Sequence, residues 1–578
     1  MTQTKKTNKW LILAVVCTSL FIIMMQNTTL NLANPDIMRD FGVSMTQVGW
    51  VMTSYMLAFT SFLLMMGKLG DAIGRKKIFM IGLAFYSVGG IFAGLANSFA
   101  MLIASSVVQG LGGSMMMPAT TSLIAANFEK KERGAAMGMW GAVSGLAVVV
   151  GPLVGGSLAT NGLGDGLNAI LGISQGWRYI FFLSAILGII SIIGTLALVP
   201  ESRDESEAFK LDPLAVLLSA GALFLLTYGL VEGGKNYGWL WKKADYSLFG
   251  ATLNFGSLSV TPFILGLSVL LGAIFLFRES RKKNPLFEAR LFADPNFAGG
   301  VAVTAILNFA MMGTFFLTPF FLKSVVGLDS LHAGFAMIPM ALAVVVASPL
   351  AGTLADRFGA KWIIFAGMLV MSLALFLVAQ LSPETTLASL VLPFVVLGIG
   401  IGLPMSPTTS AALLDVPLAK VGSASGTLSM LRQVGGILGI VVIATAFGNF
   451  MPSSIEKGIA AQAAPSERLA RKFDRVKSMM LDGMKGGSGS MSSSSLDMNA
   501  YKDKLAPFFP DKADQEAVTK SLTHGVYVGM SNAMNDAFRL AAIAPLFGAL
   551  AALFMKSPKR KENIVTLEEA GVPVAEEA

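Results

Sequence analysis

Two short segments carry the densest chemistry in the chain. GKLGDAIGRKK (67–77) and GTLADRFGAKW (352–362) align Gly67 with Gly352, Asp71 with Asp356 and Gly74 with Gly359. Glycine permits a tight turn, and an aspartate near cations can cap a helix or form an ion pair. Arg75, Lys76 and Lys77 supply the cations in the first copy, and Arg357 does so in the second. Groups of this kind make and break no covalent bonds. They form a latch between neighbouring helix ends, and its release switches a conformation. Two matched copies point to two related halves.

Nothing else in the sequence supports covalent chemistry. There is no G-x-x-x-x-G-K-[ST] loop to cradle a nucleotide. His332 and His524 stand far apart without metal-ligand spacing, and Cys17 is the single cysteine. The sequence therefore predicts no enzyme, no metal site and no cofactor. Net charge is +8, but the cations sit mainly in short loops, a pattern of membrane topology rather than of nucleic-acid binding.

The elements that must position these residues are membrane helices. Hydrophobic residues make up 54% of 578 positions, charged residues only 13%, and mean hydropathy is +0.66. A soluble surface needs about 25% charge, so a lipid bilayer is the expected solvent. Runs of about 20 apolar residues can span it as helices. Fourteen are expected, from 10–32 through a thirteenth at 424–449 to a fourteenth at 537–555. The predicted fold is an all-α membrane protein. An N-terminal six-helix half (1–200) and a C-terminal six-helix half (297–555) flank two inserted helices (201–296), and a tail occupies 556–578. The basic loops holding Lys5, Lys6, Lys68, Arg75, Lys130, Arg281 and Lys282 face the cytoplasm by the positive-inside rule, which puts both termini there. The long outer loop, 450–536, contains the flexible stretch GGSGSMSSSS (486–495). Its flanks, near 465–484 and 511–534, read as helical and partly amphipathic. They either cap the outer mouth or form a solvated loop.

The loop signature resembles that of the major facilitator superfamily, G-x-x-x-D-[RK]-x-G-R-[RK]-[RK]. Ala72 and Ala360 depart from it. Gly138, Ala147 and then Gly151, Pro152, Gly155 and Gly156 resemble the antiporter motif of drug exporters. Small residues at that spacing allow close helix contact, and the proline bends the helix. Segments 211–239, 275–292, 320–339 and 423–439 are similar to the fourteen-helix drug:proton antiporters. The resemblance implies export of lipophilic small molecules from the cytoplasm across the cell membrane, coupled to proton influx.

Two positions break that pattern. Gln26 stands where the family carries aspartate in its first helix, and Ser106 where it carries arginine in its fourth. Gln26 cannot titrate. Glu232 and Asp536 are the remaining candidate proton carriers, both placed near the interface. Candidate cavity residues are Gln26, Asn27, Asn31, Gln109, Arg432 and Gln433, with Met115, Met116 and Met117 as soft lining or as packing. Arg432 either meets an anionic substrate group or pairs with Gln433 and nearby backbone. A neutral lining suits a neutral or weakly anionic amphiphile. Three readings stay open: a proton-coupled exporter of lipophiles, an exporter of a lipid or specific metabolite with altered or absent coupling, and a non-transporting membrane sensor.

Overall fold

Helices start where a short polar side chain can accept the first free amides. Asn8 accepts from the Trp10 amide, Ser98 from Met101, Asp212 from Leu214 and Ala215, Asp294 from Asn296, and Asp511 from Ala513. The computed structural model describes residues 8–43, 45–129, 132–159, 176–201, 212–233, 237–242, 246–248, 251–253, 256–282, 285–328, 330–417, 420–465, 467–486, 508–509 and 511–556. The expected linker at 486–495 and the tail at 556–578 fall almost wholly outside them.

The N-terminal helices are α1 (Lys9–Phe41), α2 (Met45–Ile73), α3 (Arg75–Gly94), α4 (Phe99–Asn127), α5 (Arg133–Ala159) and α6 (Arg178–Leu198). The inserted pair is α7 (Pro213–Glu232) and α8 (Thr261–Glu279). Then come α9 (Pro295–Ser324), α10 (Ser330–Phe358), α11 (Ala360–Val378), α12 (Leu387–Leu413), α13 (Val421–Ala460), α14 (Ala470–Gly486) and α15 (Lys512–Leu553). Among the described residues, thirteen helices are long and apolar enough to cross a bilayer. With α5, which packs against α1 and α10, they make the expected fourteen, and α14 is an extra helix outside the bundle. A short antiparallel ribbon, Tyr246–Leu248 with Ala251–Leu253, lies between α7 and α8.

Three helices run past their expected ends. α1 continues to Phe41, α13 to Ala460, and α15 begins at Lys512 rather than near 537. Hydropathy marks the apolar centre of a helix, whereas its hydrogen-bond ladder continues into polar residues wherever a neighbour supports it. For α13 and α15 the neighbours are each other. Gly458 of α13 meets Gly525 and Gly529 of α15, leaving no room for side chains between the two backbones. The strongly amphipathic α14 buries Phe473 and Val476 in the same apolar cluster as Phe509, Val518 and Leu522. The flanks of the 450–536 loop are thus a folded, packed extension of the bundle.

The halves meet mainly along α2 with α13 and α5 with α10, with α4 against α13 and α5 against α12 beside them. Apolar packing shows where they are joined. One buried cluster contains residues of the C-terminal half alone, and another, around Ile37, Val51 and Trp177, residues of the N-terminal half alone. A third runs from Phe79 and Trp140 across to Phe297, Leu413, Val421 and Leu428. The bridging residues lie toward the end of the bundle that carries the 67–77 loop. That end, the basic-loop end, is closed.

The inserted pair packs on the outside. α7 touches α2 and α8, and Ser268 of α8 donates to the Ala222 carbonyl of α7 at 2.7 Å. Phe263, Leu267, Val269, Leu270 and Phe277 of α8 are exposed, an apolar face suited to lipid.

Candidate functional site

At the basic-loop end, Gly74 has φ +115° and Gly359 has φ +87°, left-handed backbone that lets α2 turn directly into α3 and α10 into α11. A Cβ on Gly74 would lie 2.6 Å from a Glu201 carboxylate oxygen, and that carboxylate accepts the Lys76 amide at 3.1 Å, capping α3.

The turn aims Asp71 out of its own half. Its carboxylate accepts the amides of Gly422 at 2.9 Å and Ser423 at 2.8 Å, on the first turn of α13. Arg75 donates to the same carboxylate at 2.9 Å, and both side chains are buried. Capping a helix and meeting a cation are therefore done by one residue, and the helix it caps belongs to the opposite half. The close approach depends on glycine. A Cβ on Gly67 would stand 2.6 Å from the Gly422 carbonyl and 2.7 Å from the Gly426 Cα, and one on Gly422 would overlap the Asp71 carboxylate. Ser122 of α4 and Ser425 of α13 add a hydroxyl pair at 2.7 Å across the same seam.

The second copy is related but looser. A Cβ on Gly134, on the first turn of α5, would lie 2.9 Å from both Asp356 oxygens, so this aspartate also faces a helix start in the other half. Among the described residues no hydrogen bond reaches it, and Asp356 and Arg357 are exposed. A cavity of about 240 Å³ opens beside it, lined by Gly134, Asn296, Asp356, Ser410 and Lys556. Gly352 packs on the Gly134 carbonyl, and Ser406 donates to that carbonyl at 3.0 Å. The repeat also matches a pair of lysines. Lys76 donates to the Leu196 carbonyl near the end of α6, and Lys361, its counterpart, donates to the Leu553 carbonyl at the end of α15. Each lysine ties the last helix of its own half, the favourable place for a cation.

A strap crosses under the first latch. Lys68 of α2 donates to the Pro285 carbonyl at 2.5 Å, Lys420 pairs with Glu288 at 3.0 Å, and Ser423 donates to the Leu286 carbonyl at 3.4 Å. The strap begins at a clasp in which Asp212, at the start of α7, pairs with Lys282 at 2.5 Å and Arg278 at 3.1 Å. Lys282, with help from Arg278 and the Ala215 amide, holds the Asp212 carboxyl well below the usual carboxylate range against an opposing cost of burial.

The motif helix α5 forms the other seam. Gly138 allows the Pro349 Cα within 2.7 Å of its missing Cβ, and Gly141 and Gly145 press against Ser348 and Val344. The Gly151 carbonyl accepts the Thr29 hydroxyl at 2.9 Å. Pro152, Gly155 and Gly156 belong to α5, but their surroundings lie outside the described residues. Between α5, α9, α10 and α12 remains a gap of only about 10 Å³, lined by Ser144, Met311, Phe315, Met340, Val344 and Met405. That is barely room for a water.

Inside the N-terminal half, Gln26 does not line open space. Its amide donates to Gln109 at 2.7 Å, and its carbonyl accepts the Tyr86 hydroxyl at 2.8 Å. Gln109 is fully buried against Gly89 and Gly90 of α3. This neutral chain links α1, α3 and α4, and Tyr86 is a member that no motif pointed to. Ser106 donates to its own helix at the Leu102 carbonyl, 2.9 Å away. Met115, Met116 and Met117 are buried in the apolar cluster, the packing role. The side chains of Asn27 and Asn31 lie outside the described residues.

Arg432 does not pair with Gln433. Neighbouring helix positions point in different directions, and the Arg432 guanidinium lies over the Trp140 ring of α5, 4.8 Å from its centroid, while Gln433 is half-buried. Trp140 is itself buried, its indole N–H donating to Thr120 at 3.3 Å. Glu232 is fully buried at the end of α7. Asp536 falls inside α15, because that helix starts well before it, and it is half-buried and paired with Arg539 at 2.9 Å.

A two-half helical bundle with an interhalf latch at paired loop motifs is the architecture of an alternating-access membrane transporter. Residues 16–440 match the family model for the Major Facilitator Superfamily, and the chain belongs to that family. It is similar to the multidrug resistance protein Stp of Mycobacterium tuberculosis, with 30% identity over 78% of each chain. It is also similar to the riboflavin transporter RibZ of Clostridioides difficile, with 29% identity over 76% of this chain and 88% of the other. Among solved structures, a bacterial homologue of the human lysosomal transporter Spinster, inward-facing and unoccupied, shares the fold at 18% identity and a TM-score of 0.54. It covers 96% of this chain and 100% of the other. The protein is a multi-pass membrane transporter of this family.

Proposed function

We propose that the chain exports lipophilic, drug-like small molecules from the cytoplasm by alternating access, driven by protons. The observation that carries this reading is the Asp71 carboxylate on the α13 amides, which closes one end of the bundle across the two halves. Breaking it lets the halves rock, and the collapsed gap beside Ser144 and Met405 can then open to a substrate. The drug-resistance name of one relative favours lipophilic substrates. On this reading the basic-loop end is cytoplasmic, as are both termini.

The proton route must avoid Gln26. Of the candidate carriers, Glu232 has the burial a coupling group needs, whereas Asp536 is only half-buried. A second reading is export of a specific metabolite with altered coupling. It is favoured by the neutral Gln26–Gln109–Tyr86 chain and by the riboflavin transporter among the relatives. Flux in proteoliposomes with and without a pH gradient tests both. Gradient-driven efflux of lipophiles supports the first, gradient-independent flux of one compound class the second, and no flux of any lipophile removes both.

A further inference from the structure

We propose that Arg432 is a recognition point for the anionic group of an amphiphilic ligand, a carboxylate, sulfonate or phosphate on an apolar body. It deepens the exporter reading and rests on it for the path by which the ligand arrives.

Arg432 stands about three turns into α13, at membrane depth. It is 8% exposed, and its Nη2 is enclosed without a hydrogen bond. Among the described residues no acidic side chain pairs with it and no carbonyl accepts from it. Thr120, the polar group bonded to Trp140, is otherwise engaged: it accepts from the indole N–H and donates to the Met117 carbonyl.

A buried cation without a counter-charge is costly, and a stacked tryptophan offsets only part of that. Stacking uses the face of the guanidinium and leaves its N–H edge, the part that holds two oxygens of an anion in a planar fork, still to be satisfied. The position favours a ligand. Trp140 belongs to one half and Arg432 to the other, so the charge sits on the seam that alternating access opens. Ser144, one turn along the same face of α5, lines the gap with Met311, Phe315 and Met405. An anionic head on Arg432 would have an apolar, methionine-lined space beside it for its body.

The test compares two fluorescent probes with nearly the same ring system. Anilinonaphthalene sulfonate carries the anion and phenylnaphthylamine lacks it. Equilibrium binding to the full chain in lipid nanodiscs should show Arg432→Gln weakening the sulfonate by about tenfold or more while the amine changes less than about twofold. Arg432→Lys, which keeps the charge but not the fork, should fall between wild type and Arg432→Gln for the sulfonate and leave the amine alone. It also serves if the glutamine variant does not fold. Equal weakening of both probes, or no weakening of either, overturns the proposal. Selective loss of the sulfonate without flux of any lipophile would keep this site and remove export. Flux of lipophiles with both probes treated alike would do the reverse.

Discussion

Asp71, on the last turn of α2, accepts the amide hydrogen of Ser423, on the first turn of α13, at 2.8 Å. One carboxylate thus neutralises the positive end of a helix from the opposite half while holding Arg75 in its own. Asp71→Asn removes the charge, keeps one acceptor and leaves the buried Arg75 without its counter-ion. The closed end should lose roughly 1–3 kcal/mol, a shift of about 5- to 150-fold toward the state open at the basic-loop end. Membrane insertion should be unchanged and flux reduced. Spin-label distances across the α2–α13 seam, read with flux, check it; wild-type values for both would count against the latch.

Most of this end of the molecule was legible in the sequence, because turn glycines and a repeated aspartate leave a pattern at fixed spacing. Gly67, Asp71, Gly74 and Arg75 meet as the spacing suggests, and the same alignment already sets Lys361 opposite Lys76. What the motif could not reveal is the partner. Gly422 and Ser423 lie some 350 positions from Asp71, and only the packed fold brings them together. The interior was harder to read. Gln26 and Gln109 were recognisable as polar residues at depth, but their mutual hydrogen bond and the Tyr86 hydroxyl depend on how α1, α3 and α4 pack. Arg432 stood out as a charge in a membrane helix, and its position over Trp140 left no trace in either segment. The flank at 511–534 reads as helical but not as continuous with the last span, and the stretch of α13 beyond 449 was missed, because hydropathy does not register a polar helix end that packs against another helix.

Replacing Gln26 tests the neutral interior. An aspartate there can still accept from Tyr86, and the Gln109 amide is near enough to donate to it. The bundle should therefore tolerate Gln26→Asp and gain a titratable negative charge. Transport assays with matched cationic and neutral dyes should show preference moving toward the cation by about tenfold. Unchanged selectivity would mean that this chain of side chains never faces the substrate.

The clasp between the inserted helices should depend on pH. The folded-state carboxyl of Asp212 titrates below its usual range, so its stabilisation is full above about pH 4 and is lost as pH falls through the depressed value. Asp212→Asn should lower the thermal midpoint of the purified protein at neutral pH. The gap from wild type should close in strongly acidic buffer. A constant gap across that range would show that Lys282 and Arg278 contribute nothing through charge.

The central claim is that the two halves must part at the basic-loop end for transport to occur. Ser122 and Ser425 face each other across that seam with hydroxyls 2.7 Å apart, close enough for a disulfide to replace them. In a background with Cys17, the single native cysteine, replaced by alanine, the pair Ser122→Cys and Ser425→Cys should cross-link under mild oxidation. Flux in proteoliposomes should fall to background once the cross-link is complete and return on reduction. Undiminished flux through fully cross-linked protein would contradict the account.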